Sequence, residues 1–332
     1  MKDPELRGAE AAVAAALGAD GGVVSYKSLD GGTYNTVFQA DLEDGRQWVV
    51  KLPPPGSQPG LAHERRLLHG EATFYEAAAG LPEVPVPRLV RHVVDGPDPY
   101  LVMTACPGVP WHTVAPAVPD AERRRLRREL GRYVARLHTV TGPAFGYPGE
   151  PFAPLAGGWR EAFAGMTDAV LDDAVRYGAE LPVSVERCRE VLGAAMPVLD
   201  EVTRPALVHF DLWDGNVLLR DSGAGGFTLG GIIDGERMFW GDPVADFVSL
   251  ALFGDIEDDT DFLAGYGEAA GSPLRFTRSV RTRLALYSAY LYLIMLVESI
   301  PRRHSQEQRD WARRVVAPLL VGAVGELSGV SG

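Results

Sequence analysis

The segment LVHFDLWDGNVLL, residues 207–219, constrains the fold of this chain more than any other. It places His209, Asp211 and Asn216 between two apolar runs, and after the turn RDSGAGG a second apolar run, FTLGGIID, ends in Asp234. Two apolar runs joined by a glycine-rich turn predict a β-hairpin. Because the ends of a hairpin lie side by side, Asn216 and Asp234 are expected to be neighbours, with Asp211 in the loop just before them.

These residue types suit one kind of chemistry. A carboxylate beside a carboxamide offers the hard oxygen ligands that Mg²⁺ prefers, and Asp211 is left to accept a proton or to orient a hydroxyl. The spacing His-x-Asp-x-x-x-x-Asn, followed by an Asp at the end of the next strand, is that of kinase phosphoryl transfer. The competing interpretation is a polar loop with ordinary turns, which explains one such residue well but not three in register with a hairpin.

The first third of the chain favours strands, which are predicted at 23–29, 36–42 and 47–52. The segment DGGTYNTVF places Gly31 and Gly32 between the first two of them. Glycines allow backbone amides to approach phosphates without interference from a Cβ atom. A Gly-Gly pair is also an ordinary hairpin turn, so this signal is weak alone.

Lys51 ends the third of these strands and is the last lysine of the chain. Such a lysine is normally a surface residue whose stem covers apolar neighbours, but here it lies where it could reach nucleotide phosphates. A lysine in that role needs a carboxylate partner, and the following helix, predicted at about 61–79, offers Glu64, Glu71 and Glu76. No Walker A pattern occurs in the sequence, which excludes a P-loop nucleotide site.

The rest of the chain predicts an α+β protein in two parts. Two further strands are expected within 84–94 and 99–108. Apolar periodicity then predicts helices at 120–140, 159–177, 184–199, 243–253, 260–269, 277–299 and 305–326. The expected plan is an N-terminal lobe at 1–104, a hinge at about 103–108, and a mostly helical C-terminal lobe at 109–332.

Composition narrows the partners and the compartment. The net charge of −12 argues against non-specific nucleic-acid binding, even though the helix at 120–140 carries seven arginines. Cys106 and Cys188 have no partner at metal-ligand spacing, which favours a reducing compartment. The N-terminus is expected to form a surface helix rather than a signal peptide, and the most apolar run, 284–297, is short for a membrane span. We therefore expect a cytoplasmic protein without membrane or nucleic-acid partners; the oligomeric state stays open.

Taken together, these motifs carry a resemblance. The segments GGTYNTVF, WVVKL, GEATFYEAAAGLPEVPVPRL, YLVMTACPG, VARLH, LVHFDLWDGNVLL and IIDGERMFWGDPVADF occur in the order found in the aminoglycoside phosphotransferase family. The chain is similar to these small-molecule kinases over most of its length. The resemblance implies a protein-kinase-like fold with two lobes, an antiparallel sheet in the first and a larger helical second lobe.

The resemblance also implies roles for individual residues. Asp211 would be the catalytic aspartate, Asn216 and Asp234 would hold Mg²⁺, and Lys51, paired with Glu71, would contact the phosphates of ATP or GTP. The resemblance further implies nucleotide binding by the glycine-rich loop and by a hinge at 103–106, with these residues: Gly31, Gly32, Thr33, Asn35, Met103 and Ala105. His209 and Asp246 would support the catalytic loop, and Asp242 would be a structural cap.

Two positions depart from the family pattern. The family usually has Gly between the His and Asp of the catalytic loop, where this chain has Phe210, and Trp after the metal aspartate, where it has Gly235. Neither departure removes a reacting group, but both indicate altered packing.

The acceptor is expected to be a small-molecule hydroxyl. Only seven residues separate Asp234 from Asp242, which leaves no long activation segment for a peptide. Asp168, Asp172, Asp173 and the acidic run 255–261 could attract a polyamine, although such a run is more often a solvated loop. An antibiotic hydroxyl is the first expectation.

Other acceptors and a non-catalytic role stay open. The alternatives are a metabolic kinase of the fructosamine, homoserine or choline type, and a nucleotide-binding scaffold without catalysis. The tryptophan in HFDLWDGN, Trp213, is also a point of similarity to the catalytic loop of the fructosamine kinases.

Overall fold

An antiparallel five-stranded sheet forms the N-terminal lobe of the computed structural model, which describes residues 4–18, 22–29, 34–54, 59–149, 151–152, 154–223 and 225–330. The strand order is β1-β2-β3-β5-β4, so β3, which carries Lys51, lies at the centre. The elements of this lobe are α1 (Pro4–Leu17), β1 (Val23–Ser28), β2 (Thr36–Leu42), β3 (Gln47–Leu52), α2 (Leu67–Ala78), β4 (Leu89–Val93) and β5 (Tyr100–Thr104).

One face of this sheet packs on the N-terminal helix. Along β2 the side chains alternate, and Phe38, Ala40 and Leu42 are buried, as expected for a strand with one covered face. They form a small apolar core with Ala9 and Val13 of α1. The helix expected at the N-terminus forms and lies at the surface, and its few buried residues cover this face of the sheet.

The C-terminal lobe is mostly helical and holds two short sheets. The strand β6 pairs with β8, and β8 with β9, while β7 pairs with β10. Its elements are β6 (Val109–Pro110), α3 (Trp111–Val114), α4 (Asp120–Leu137), α5 (Trp159–Tyr177), α6 (Val185–Ala195), β7 (Ala206–Val208), β8 (Val217–Asp221), β9 (Phe227–Ile232), β10 (Phe239–Gly241), α7 (Asp246–Leu250), α8 (Thr260–Ala270), α9 (Arg278–Val297) and α10 (Gln306–Val330). The predicted α+β fold with two lobes is confirmed.

The most apolar helix lies inside the C-terminal lobe. Among the described residues, α9 is the one helix that is long and apolar enough to cross a membrane, but 72% of its apolar window is buried within the protein. Tyr287, Tyr290 and Leu293 are fully buried there. We therefore describe α9 as the core helix of this lobe, which fits a soluble protein.

The predicted hairpin forms and positions the candidate site. Val217 on β8 is the partner of Ile232 on β9, and the Ile233 N–H donates to the Asn216 carbonyl at 2.9 Å. These contacts bring the chain at Asn216 beside the chain that leads into Asp234. The hairpin prediction is confirmed.

One predicted helix is shorter than expected. Instead of one helix over 243–253, a 3₁₀ turn at Pro243–Ala245 precedes α7, which ends at Leu250. Phe253 then has a positive φ of 68°, a backbone conformation that cannot continue a right-handed helix. The apolar run ALF at 251–253 extended the helical pattern without extending the helix.

Candidate active site

A buried lysine surrounded by carboxylates lies on the cleft side of the N-terminal lobe. Lys51 is 8% exposed. Its Nζ atom is 2.8 Å from Glu71 Oε1 and 3.7 Å from Glu236 Oε2, and it forms an ion pair with Asp234. Burial alone would lower the pKa of Lys51, but the three carboxylates raise it well above its ordinary value, so this residue is a fixed positive charge.

Helix α2 supplies the carboxylate that holds the lysine. Glu71 is fully buried and accepts a hydrogen bond from the Tyr75 hydroxyl at 3.1 Å, and that hydroxyl accepts one from the Asp234 N–H at 3.0 Å. Burial raises the pKa of Glu71, and the charge of Lys51 opposes this. Of the three glutamates that the sequence offered, Glu71 is therefore the one in contact with the lysine.

A third carboxylate next to the lysine ties the glycine-rich loop to the second lobe. The Asn35 amide Nδ2 donates to Glu236 Oε2 at 2.6 Å. Burial and the charge of Asp234 raise the pKa of Glu236 to about 8. The predicted phosphate-binding residues Gly31, Gly32 and Thr33 lie outside the described residues. Asn35 is thus placed by a contact that the sequence did not predict.

The catalytic loop is held by one buried aspartate. Asp246 is fully buried, and its carboxylate accepts hydrogen bonds from the Phe210 N–H at 2.6 Å and the His209 N–H at 3.2 Å. The ring nitrogen Nε2 of His138 also lies 2.8 Å from this carboxylate. Three partners on one side chain fix the backbone immediately before Asp211.

The histidine of the loop braces it against the hairpin. The Asp211 N–H donates to His209 Nδ1 at 3.2 Å, and His209 Nε2 lies 3.0 Å from the Ile233 carbonyl. With Nδ1 accepting, the ring proton is on Nε2 and is donated to that carbonyl. His209 therefore connects the loop that carries Asp211 to the strand end that carries Asp234.

Phe210 adopts a conformation that explains why glycine is common at its position in the family. Its φ is +62°, in the left-handed region that glycine adopts without cost. The ring is fully buried and packs on Phe239 and Tyr290, with centroids 5.0 and 5.6 Å away. The packing of the ring compensates for the backbone strain.

Gly235, the other departure, is required by a neighbouring ring. A Cβ atom at Gly235 would lie 2.5 Å from Phe74 Cδ1, closer than carbon atoms pack. Phe74 in turn contacts His209 edge-on, with ring centroids 4.9 Å apart. The large side chain that the family usually has here would displace Phe74 from the catalytic loop.

Asp211 and Asn216 are in direct contact. The Asn216 amide Nδ2 donates to Asp211 Oδ2 at 3.0 Å and to the Asp211 carbonyl at 2.8 Å. Burial raises the pKa of Asp211, and the positive charge of Arg237 opposes this. Since the amide nitrogen of Asn216 is used by Asp211, its amide oxygen is the atom left for another ligand.

The donors around Asp234 fit a hard divalent cation. Burial would raise the pKa of Asp234, but Lys51 lowers it below its ordinary range, so the group is an anion. Oxygen atoms of Glu71, Asp234 and Glu236 lie within 4.8 Å of one another, but the Lys51 ammonium group lies among them. The donors left for a metal are therefore the Asp234 carboxylate and the Asn216 amide oxygen, and both residues line the same cleft. Carboxylate and amide oxygens are the ligands that Mg²⁺ prefers, so the residues fit the predicted metal.

The cleft between the lobes has a volume of about 1790 Å³ and also contains the predicted hinge. Met103 and Ala105 line it, together with Val37, Val49 and Ile233. The Ala105 N–H already donates to the Gln47 carbonyl at 2.9 Å. A nucleotide base therefore cannot use that N–H while the β3–β5 pairing continues to Ala105.

An ionic chain that sequence reasoning missed crosses between the lobes. Arg237 donates to Glu298 at 2.8 Å, and the Arg302 Nε atom donates to Glu64 at 2.9 Å. Arg302 also lies 3.4 Å from Glu298, and its guanidinium stacks over the Tyr34 ring at 5.4 Å. The sequence signal was the charged pair Glu236 and Arg237, which follows Asp234 and Gly235 in an apolar segment, but the partner of Arg237 is far away in the chain.

Three of the acidic residues proposed to attract a polyamine already have partners in the fold. Arg189 forms ion pairs with Asp168 and Asp172. Asp173 is buried and accepts from the Ala62 N–H at 2.6 Å. Each of these three carboxylates has a partner in the fold, and none of the three is among the residues that line the cleft.

Together, the two-lobed fold and this cleft, with its buried lysine, its catalytic loop and its acidic strand end, define a small-molecule kinase. The chain belongs to the phosphotransferase enzyme family, whose model matches residues 25–287. This confirms the resemblance inferred from the motifs.

The curated relatives that match this chain are named as ketoamine kinases. A protein named "Probable ketoamine kinase" from Synechocystis is 27% identical over 69% of this chain and 71% of its own length. Another of the same name from Lactiplantibacillus plantarum is 24% identical over 82% of this chain and 88% of its own length.

Solved structures share the fold. A protein from Thermobifida fusca described as a "putative fructosamine-3-kinase" has a TM-score of 0.66 at 23% identity, with 95% of this chain and 98% of that chain covered. The gentamicin complex of an aminoglycoside phosphotransferase has a TM-score of 0.60 at 17% identity, with 98% and 96% covered. At these identities the likeness shows the fold alone.

Proposed function

We propose that this protein transfers the γ-phosphoryl group of ATP or GTP to a hydroxyl of a small molecule, with Mg²⁺ as cofactor. One observation carries the proposal: a single cleft contains the pair Lys51 and Glu71, the pair Asp211 and Asn216, and Asp234. Phosphoryl transfer depends mainly on positioning and on neutralising negative charge. These residues supply both.

Each residue has a definite task in this proposal. Lys51, fixed by Glu71, binds the nucleotide phosphates. Asn216 and Asp234 hold Mg²⁺, which would neutralise charge on the transferred group when bound. Asp211, oriented by the amide of Asn216, orients the acceptor hydroxyl and accepts its proton.

For the acceptor, we favour a hydroxyl of a sugar-derived ketoamine. The relatives that align with most of the chain are named ketoamine kinases. The pairing of Asp168 and Asp172 with Arg189 removes part of the support for a polyamine. Trp213, the tryptophan that makes the catalytic loop similar to that of the fructosamine kinases, is 36% exposed and lines the cleft. An antibiotic hydroxyl becomes the second candidate, and we place the reaction in the cytoplasm.

A mass-spectrometric transfer assay tests the proposal. The protein is incubated with Mg²⁺ and either ATP or GTP, and with a fructose-derived ketoamine, an aminoglycoside, choline or homoserine. We expect the ketoamine to gain one phosphate. The Asp211→Ala variant should lose at least roughly a hundredfold in turnover, because the group that accepts the proton is gone.

The controls separate the parts of the proposal. Circular dichroism of Asp211→Ala establishes that the variant is folded. Retained turnover in that folded variant would refute the role of Asp211. Transfer to the aminoglycoside but not to the ketoamine would replace the acceptor, while nucleotide binding without transfer to any acceptor would favour the non-catalytic scaffold.

A further inference from the structure

The C-terminal lobe lines the active-site cleft with an aromatic wall that phosphoryl transfer does not need. Phe253, in the loop after α7, and Trp311, on α10, meet edge to face with ring centroids 5.7 Å apart. Both line the cleft that contains Asp211, and so do Leu291 and Met295 of α9. Trp311 is 41% exposed, so much of its side chain stays open to solvent although its ring contacts Phe253.

The backbone beside this wall has an unusual conformation. Among the described residues, four other than glycine have a positive φ: Phe210, Asp234, Phe253 and Arg303. The first two belong to the catalytic loop and the candidate metal site. Phe253 lines the same cleft, as do the residues on either side of Arg303. Such conformations cost free energy and are concentrated at active sites and ligand clamps, which is a second indication that this end of the cleft binds a ligand.

Some of the charges beside the wall are used by the fold. Asp259 pairs with Arg127 at 2.5 Å, and Glu257 with Arg281 at 2.8 Å. Asp255 accepts a hydrogen bond from the Glu257 N–H at 2.9 Å. Two of the five acidic side chains in the run 255–261 are therefore paired with arginines, while Asp258 and Asp261 also line the cleft. These charges do not account for the aromatic side chains that lie beside them.

We infer that the acceptor carries an aromatic substituent, which packs on Trp311 and Phe253 while its hydroxyl faces Asp211. This inference rests on the proposed function and specifies its substrate further. A ring that packs on an exposed indole gains both the burial of apolar area and a favourable edge or offset contact. A small ketoamine would leave this wall in water.

Two matched acceptors test the inference. The fructose-derived ketoamines of phenylalanine and of glycine share the sugar, the amine and the carboxylate, and differ only by the benzyl group. In the transfer assay with Mg²⁺ and the nucleotide, we expect kcat/KM to be about tenfold higher for the phenylalanine ketoamine. The difference should appear in KM, because the ring contacts are distant from the reacting atoms.

Variants identify the wall as the source of this preference. Trp311→Ala should lower kcat/KM for the phenylalanine ketoamine about tenfold and change that for the glycine ketoamine by less than about twofold. Phe253→Asn should act in the same direction, since asparagine tolerates the left-handed backbone but removes the ring. Val321→Ala is the matched control, because Val321 is also exposed on α10 but is not among the residues that line the cleft.

The possible failures are distinguishable. Equal kcat/KM for the two ketoamines, or a preference that survives in Trp311→Ala, overturns the aromatic subsite and leaves the proposed kinase intact. If neither ketoamine is phosphorylated, the proposed acceptor class is overturned, and this inference with it.

Discussion

Phe210 offers the sharpest test of how this catalytic loop is built. At an ordinary buried position, glycine is a worse replacement for phenylalanine than alanine is, because glycine gains more freedom in the unfolded chain. Phe210 has a φ of +62°, so alanine would keep the strain that glycine relieves. We therefore predict that Phe210→Gly is more stable than Phe210→Ala.

The magnitude follows from the structure. Removing a fully buried ring that contacts Phe239 and Tyr290 should cost about 3–5 kcal/mol in either variant. Relief of the left-handed conformation returns about 1–2 kcal/mol to Phe210→Gly alone. The greater freedom of glycine in the unfolded chain takes back about 0.4–1 kcal/mol. The net expectation is that Phe210→Gly exceeds Phe210→Ala by roughly 0.5–1 kcal/mol.

Urea unfolding of both variants measures this difference, with Phe163 as the control position. Phe163 is also fully buried but lies within the right-handed helix α5, where glycine should be about 1 kcal/mol worse than alanine. The order of the two variants should therefore reverse between the positions, at equal dependence on urea concentration. The same order at both positions would show that strain at Phe210 is negligible and would refute the explanation of this family departure.

Two further predictions concern buried charges. Glu71→Gln should lower kcat/KM for the nucleotide about ten- to a hundredfold, because the buried lysine loses a charged hydrogen-bond partner. Steady-state kinetics measure this effect. The control is Glu76→Gln, an exposed position on the same helix, where kcat/KM should change by less than about twofold. Arg302→Met should lower the free energy of unfolding by about 3–5 kcal/mol, because it leaves the buried Glu64 carboxylate without its counter-charge. Burial raises the pKa of Glu64 and the charge of Arg302 opposes this, so removal of Arg302 raises that pKa further. The folded variant then binds the Glu64 proton more tightly than its unfolded chain does, and its stability falls further below that of the parent protein as the pH rises. Urea unfolding should therefore show that Arg302→Met loses more unfolding free energy at pH 8 than at pH 5. The exposed control Arg313→Met should lose less than about 1 kcal/mol. A loss in Arg302→Met that is equal at both pH values would contradict this account.

The local pattern of the sequence was enough to predict the elements that carry the candidate site. The apolar alternation of β2, the hairpin of β8 and β9, and the helices of the second lobe all follow from contacts between residues that are near in the chain. The placement of Lys51 at the end of a strand, followed by a helix that carries Glu71, also restricts which groups can meet. These features depend on periodicity and on short turns, and both can be read without knowledge of the fold.

The partners of the buried charges could not be predicted in this way. Arg302 contacts Glu64, which is 238 positions away in the chain, and Asn35 contacts Glu236, which is 201 positions away. Asp168 and Asp172 looked available to a substrate until their partner was known. The charge of a residue, which can be read from the sequence, limits what its side chain can bind. Its burial and its distance from other groups, which depend on the fold, decide what it does bind.

The sequence by itself therefore determined the kind of chemistry, because Asp211, Asn216 and Asp234 occur at a spacing that only a few local structures can satisfy. The tertiary structure alone decided the shape and charge of the acceptor end of the cleft. Packing between distant helices pairs Asp259 with Arg127 and Glu257 with Arg281, and leaves Trp311 exposed beside Phe253. Acceptor specificity is a property of that surface, and the surface is formed only when α9, α10 and the loop after α7 pack together.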